Sequence, residues 1–140
     1  MKYLIDTCVI SELAKPKPDK NVLSWINSTE ETDIYVSVLT FGELYKGISK
    51  LPESKRKRDL YKWVEIDLIE RFENRIIYVD MKVASIWGST QALSEQKGMV
   101  MPAIDSLIAA TGLCYALTVV TRNISDMEQS GAVLLNLWTK

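Results

Sequence analysis

Hydrophobic residues along the chain fall into short unbroken runs separated by longer stretches of helical period. Tyr3-Leu4-Ile5 suits a buried strand, and it ends at Asp6-Thr7 before Val9, Ile10 and Leu13 fall on one helical face. Pro16 and Pro18 stop that helix. From Asp19, the spacing of Val22, Leu23, Trp25 and Ile26 predicts a second helix, and the β-branched run Ile34-Tyr35-Val36-Ser37-Val38 predicts a second strand. Thr40 and Glu43 have capping-box spacing, so a third helix is expected to begin at Thr40 and carry Leu44, Tyr45 and Ile48 inward until Leu51-Pro52 breaks it. Leu60, Trp63, Val64 and Leu68 keep a mostly helical period from Ser54 to Arg71, which reads as a surface helix with a dense basic start, Lys55-Arg56-Lys57-Arg58.

The second half repeats the alternation. Arg75 to Val79 reads as a strand, and Lys82 to Gln96 as a long helix with Val83, Ile86, Trp87, Thr90 and Leu93 inward, ending at Gly98. A helix after Pro102 packs Leu107, Ile108, Ala110, Thr111 and Leu113. Leu117 to Thr121 is again short and β-branched, Asn123 to Gly131 is a turn region, and Val133-Leu134-Leu135 gives a last strand. Buried strands alternating with helices predict an α/β fold, a three-layer α/β/α sandwich around a central parallel sheet, in a single domain over residues 1–140. Ligands of such sheets bind beyond the carboxyl ends of the strands, where the strand order reverses.

At 140 residues and 47% hydrophobic composition, such a domain buries roughly 68–70% of its unfolded surface and needs no staple. A formal charge of -1 excludes a global basic field, so any nucleic-acid contact is local. Cys8 and Cys114 lie far apart in apolar stretches and read as buried reduced thiols, which points to the cytoplasm. No run reaches the ~18 apolar residues of a membrane span, and Asp6 interrupts any secretory signal. The chain has no histidine, so its chemistry must come from carboxylates, hydroxyls, Lys and Arg.

Asp6 directly follows the first predicted strand, Glu43 lies in the first turn of the helix after the second, Asp105 opens a helix, and Asp126 follows the strand ending at Thr121. In a parallel sheet all four reach one rim. Carboxylates crowded there repel one another, and the usual remedy is a hard divalent cation with oxygen ligands: Mg²⁺, with Mn²⁺ as a substitute. Such a site would hydrolyse a phosphodiester with water activated by the metal, its proton passing to a carboxylate. Each acid also has a plainer explanation as a helix N-terminal residue, Glu43 most easily. Thr7, Thr121 and Asn123 are candidates to orient the acids, Ser37 and Ser106 weaker ones. Arg122 and the Lys55–Arg58 cluster are candidate phosphate contacts, a solvated helix face being the plainer account of the cluster. Tyr45, Tyr61 and Trp63, at helical spacing, read as core or dimer contacts before base-stacking platforms.

In four stretches the sequence resembles a PIN domain, and more narrowly the VapC-type toxins of bacterial toxin–antitoxin pairs. They are Leu4-Ile5-Asp6-Thr7-Cys8-Val9-Ile10-Ser11-Glu12-Leu13, Val36-Ser37-Val38-Leu39-Thr40-Phe41-Gly42-Glu43-Leu44, Pro102-Ala103-Ile104-Asp105-Ser106-Leu107-Ile108-Ala109-Ala110 and Val120-Thr121-Arg122-Asn123-Ile124-Ser125-Asp126. The resemblance implies a PIN-like fold and a Mg²⁺-dependent endoribonuclease acting on structured RNA, tRNA or rRNA. Asp6 and Asp105 would be the principal metal ligands, with Glu43 and Asp126 completing the pocket. It further implies a homodimer and a small antitoxin whose tail fills the groove while its other end binds operator DNA. Met127 stands where the family usually has an aromatic, and Asn123 where some members carry another acid.

Two other readings compete. A phosphoryl-accepting Asp6 of the haloacid-dehalogenase kind wants a second aspartate where Cys8 stands, and neither a Walker P-loop nor a Gly-x-Gly-x-x-Gly turn is present. A catalytically silent metal-binding module, acting only through an antitoxin in operator autoregulation, is the alternative that the residues leave open.

Overall fold

The computed structural model describes residues 1–138. Five strands, β1 (Tyr3–Ile5), β2 (Ile34–Ser37), β3 (Ile76–Ile77), β4 (Thr118–Val120) and β5 (Leu134–Leu135), form a sheet in the order β3-β2-β1-β4-β5. All pairings are parallel, and central β1 sets Ile5 opposite both Val36 and Val120. The chain builds outward from β1 to one side through β2 and β3, then returns to its other side with β4. The carboxyl end of β1 is therefore the switch point of the sheet.

Side chains alternate across β1 and so feed two cores. Ile5 packs with Val9, Ile10, Val22, Val36, Phe41, Val64 and Phe72 beneath α1 (Thr7–Leu13), α2 (Lys20–Ser28), α3 (Val38–Ser49) and the helix that begins with α4 (Lys55–Lys62). Leu4 packs on the opposite face with Ile108, Ala109, Val119 and Met127 from α7 (Ala103–Tyr115), β4 and α8 (Ile124–Met127). The layer is completed by α6 (Met81–Gln96), which packs on α7. Helices on both faces of a parallel sheet give the three-layer sandwich expected. The fully buried Met127 fills its site with flexible thioether.

Several boundaries differ from expectation. α3 begins at Val38, capped by the buried Ser37 hydroxyl that accepts from Leu39 N–H at 3.0 Å, because strand passes into helix without a loop. Thr40 is therefore not the cap, and Glu43 sits in the second turn. The helix from α4 widens to a π-helical stretch over Trp63–Leu68 before α5 (Ile69–Arg71), and it buries Val64 and Leu68, so it is more than a surface helix. β3 keeps only two residues of the five predicted, being an edge strand paired on one side. β5 likewise omits Val133, and the turn region holds α8 and a short 3₁₀ turn, Glu128–Ser130. On α6 the buried positions are Val83, Gln91 and Ser94, with Leu93 exposed. The polar members are satisfied locally: Gln91 Nε2 donates to Met101 O at 2.9 Å, and Ser94 bonds Met99 O. Both cysteines are half-buried free thiols.

Gly42 and Gly47 lie inside α3, where glycine costs about 0.5–1 kcal/mol relative to alanine, yet a Cβ at either would meet nothing within 4 Å. Gly112 is the opposite case, since a Cβ there would stand 2.5 Å from Val119 Cγ2 and 3.2 Å from Leu117 O. The same turn ends α7 with Ala116 in the left-handed region at φ 55°. Gly112→Ala should lower stability by about 1–3 kcal/mol through overpacking, and Ala116→Gly should raise it by about 1 kcal/mol. Urea denaturation midpoints moving in opposite directions would bear this out; a neutral Gly112→Ala would refute the close approach.

Candidate active site at the carboxyl end of the sheet

Asp6 leaves β1 and immediately caps α1, its Oδ1 accepting the Thr7 N–H at 2.8 Å. Its backbone N–H donates to Val120 O at 2.9 Å, extending the ladder between the central strands. Oδ2 accepts the Thr121 hydroxyl at 2.8 Å, and the Cys8 thiol donates to the same oxygen at 3.8 Å. Thr121 is held in turn by the Asn123 N–H, 2.9 Å from its hydroxyl oxygen, while the Arg122 N–H reaches Cys8 Sγ at 3.4 Å. A single turn after β4 therefore grips the first residues after β1. Asp6 is 2% exposed, and that burial pushes its carboxyl above the ordinary range, against the downward pull of the Thr121 and Thr7 hydrogen bonds. Burial, with the Asp6 charge, also lifts the Cys8 thiol to about 11, so it stays protonated.

Glu43 comes from α3 on the other flank. The Thr7 hydroxyl donates to its Oε1 at 2.5 Å and lies 3.2 Å from the buried Thr40 hydroxyl. Glu43 caps no helix end, which removes the plainer account of it. Asp105 lies in the first turn of α7 and Asp126 in α8. Burial first, then the charges of Asp6, Asp126 and Glu43, lift the Asp105 carboxyl to about 6, and its hydrogen bond with Asp126 adds to the lift. The four acids thus share one electrostatic pocket.

Of the accompanying residues, Thr7 and Thr121 touch acids directly, and Asn123 acts through its backbone. The Arg122 guanidinium lies over the Trp138 ring at 5.4 Å. Ser37 caps α3, and Ser106 accepts from Trp87 Nε1 at 2.8 Å, so neither hydroxyl bonds to an acid of the pocket. Lys55 pairs with Asp59 and Lys57 with Glu53, each across one helical turn, while Arg56 lines a groove shared with Thr7 and Glu43. Tyr45, Tyr61 and Trp63 pack against the first core. Sequence reasoning missed Cys8, read as a structural thiol, and Thr40, read as a cap. Their two- and three-residue offsets from Asp6 and Glu43 were the available signal.

A family model described as PIN domain matches residues 3–127. The chain belongs to the PIN domain family. Within the family, this PIN domain is similar to the toxin FitB of Neisseria gonorrhoeae, with 33% identity over 96% of this chain and 97% of the relative. It is also similar to the VapC ribonuclease Y4jK of Sinorhizobium fredii, with 31% identity over 96% of each chain. Among solved structures, FitAcB from N. gonorrhoeae superposes with a TM-score of 0.92 at 33% identity, covering 99% of both chains. VapBC2 from Rickettsia felis, bound to a DNA fragment from its promoter, gives 0.80 at 27% identity, covering 97% of this chain and 98% of that one.

The donors of the pocket are carboxylate and hydroxyl oxygens, a hard set suited to Mg²⁺ or Mn²⁺. Among the described residues no three His, Cys, Asp or Glu side chains form a ready-made cage. Mg²⁺ needs none, since it commonly takes one or two carboxylates and completes its shell with waters and phosphate oxygens. No helix among the described residues is long and apolar enough to cross a membrane.

The raised Asp105 carboxyl ties stability to pH. Its folded value, about 6, exceeds the ordinary 3.8, so the folded protein binds this proton more tightly than the unfolded chain. Stability from this group falls as pH rises from about 4 through 6 and is lowest above that. Asp105→Asn should therefore raise the stability of the metal-free protein at pH 7.5 by about 1 kcal/mol, after discounting for partial exposure, and change it little near pH 4. Thermal melts in EDTA at both pH values measure this; an equal shift at both would remove the electrostatic cause.

Proposed function

We propose that this PIN domain is a Mg²⁺-dependent endoribonuclease, Mn²⁺ substituting, and the toxin of a toxin–antitoxin pair that cuts structured RNA such as tRNA or rRNA. The observation that carries the reading is the convergence of Asp6, Glu43, Asp105 and Asp126 at the switch point: Thr7 bonds both Asp6 and Glu43, Ile104 beside Asp105 shares a cleft with Glu43, and Asp105 is raised by burial and then by the charges of the other three. Asp6 and Asp105 would hold the metal, which when bound would supply charge neutralisation at phosphorus and lower the pKa of water. Glu43 and Asp126 complete the pocket and accept the proton released as the water oxygen bonds to phosphorus and the bond to the departing sugar oxygen breaks. Thr121 fixes one oxygen of Asp6 and Thr7 N–H the other, so Asp6 presents its remaining lone pairs in one direction. Asn123 steadies Thr121 through its backbone N–H, while the Arg122 guanidinium would have to leave the Trp138 ring to meet a phosphate.

The toxin role is supported by FitB and by the VapC ribonuclease among the relatives. The partner reading is a homodimer bound by a small antitoxin, with operator DNA reached through that antitoxin. FitAB bound to the IR36 DNA fragment, with a TM-score of 0.92, supports the antitoxin and DNA parts of that reading. A cytoplasmic location accords with such a role.

Purified protein freed of any partner should cut total RNA into discrete fragments in Mg²⁺. EDTA should abolish cutting, and Asp105→Asn should lower it at least about a hundredfold. A wild type inert in Mg²⁺ and Mn²⁺, or a variant that cuts equally well, would return the chain to a silent binding module. Thr121→Val should lower activity about 10–100-fold while Thr121→Ser retains it, with circular dichroism unchanged in both.

A further inference from the structure

A cleft of about 470 Å³ opens between α3 and the start of α7. Glu43 stands on one wall and Ile104, the neighbour of Asp105, on the other, so the cleft leads out of the acidic pocket. Lys46 and Lys50 line it too, three and seven residues beyond Glu43, which places all three on one face of α3. The wall therefore passes from negative to positive along the helix. Among the described residues neither lysine forms an ion pair, whereas Lys15, Lys55 and Lys57 each do.

The two glycines inside α3, Gly42 and Gly47, line the same cleft. A Cβ at either would meet nothing, so packing within this chain does not require glycine, and neither residue adopts a positive φ. What the missing side chains do is leave the helix backbone open to close approach by something outside the chain.

We propose that this cleft seats the sugar–phosphate backbone of an RNA strand flanking the cut bond, Lys46 and Lys50 each meeting a phosphate. The proposal rests on the nuclease reading and extends it to a defined path for the strand. Charge favours RNA as occupant: cations one helical turn apart continue from an acidic site whose metal would itself sit on a phosphate.

The test uses full-length protein in an Asp105→Asn background with EDTA present, so that cutting is suppressed, and a short fluorescein-labelled mixed-sequence single-stranded RNA read by anisotropy. Replacing Lys46 and Lys50 by alanine should weaken binding about tenfold and reduce the slope of log affinity against log salt by about 1.4, which is about 0.7 for each phosphate left without its lysine. Gly42→Ala with Gly47→Ala should raise the melting temperature by a few degrees, as expected for helix interiors, and still weaken RNA binding. Unchanged affinity and slope, in a protein whose wild type cuts RNA, would overturn the cleft and leave the nuclease standing. A wild type that cuts nothing would fail the nuclease reading, while the anisotropy still reports on the cleft. Unchanged RNA binding with an altered sedimentation coefficient would overturn the proposal by making the cleft a contact between copies of the chain.

Discussion

Everything at the acidic end of the molecule depends on the register of two buried parallel strands. Ile5 lies opposite Val120, so the next residues, Asp6 and Thr121, emerge side by side and bond. A slip of one position would part them and turn Leu4 and Ile5 toward the wrong layers. The register is specified by burial on both faces of β1, where Leu4 and Ile5 are both almost wholly enclosed. Core packing, not the polar site, sets the position of Asp6.

That division of labour explains how the fold tolerates a pocket of like charges. A buried carboxylate costs free energy unless hydrogen bonds accompany it. Asp6 has three donors, one of them a thiol kept protonated by the same burial. Asp105 is raised by its burial first and then by repulsion from Asp6, Asp126 and Glu43. The apolar layers above and below the sheet offset that repulsion, which is why the acids can stand together at one end of it.

Much of this is legible in the sequence. Short β-branched runs between amphipathic stretches name the strands and their order along the chain, and an acid after each of three central elements names the rim. The departures have local causes. Thr40 and Glu43 satisfy a capping pattern, but Ser37 comes earlier and the strand runs straight into the helix. On α6, hydrophobicity alone points Leu93 inward, whereas the segment between α6 and α7 offers the Met99 and Met101 carbonyls that Ser94 and Gln91 satisfy. Cys8 and Thr40 escape notice as site residues because each is tied into the site by a tertiary neighbour, the Arg122 N–H for one and the Thr7 hydroxyl for the other. Arg122 is expected beside the pocket, yet its guanidinium rests on Trp138, a partner sixteen positions away that no local pattern could supply.

Asp6 is at once the cap of α1 and a member of the acidic pocket. Asparagine caps helices as well as aspartate does, and a single base transition converts either aspartate codon into an asparagine codon. One such substitution therefore removes a charge from the pocket while α1 keeps a capping residue. The helix asks only for a capping oxygen at this position, whereas the Thr121 hydroxyl and the Cys8 thiol both donate to the second oxygen, so it is the pocket and not the cap that calls for a carboxylate.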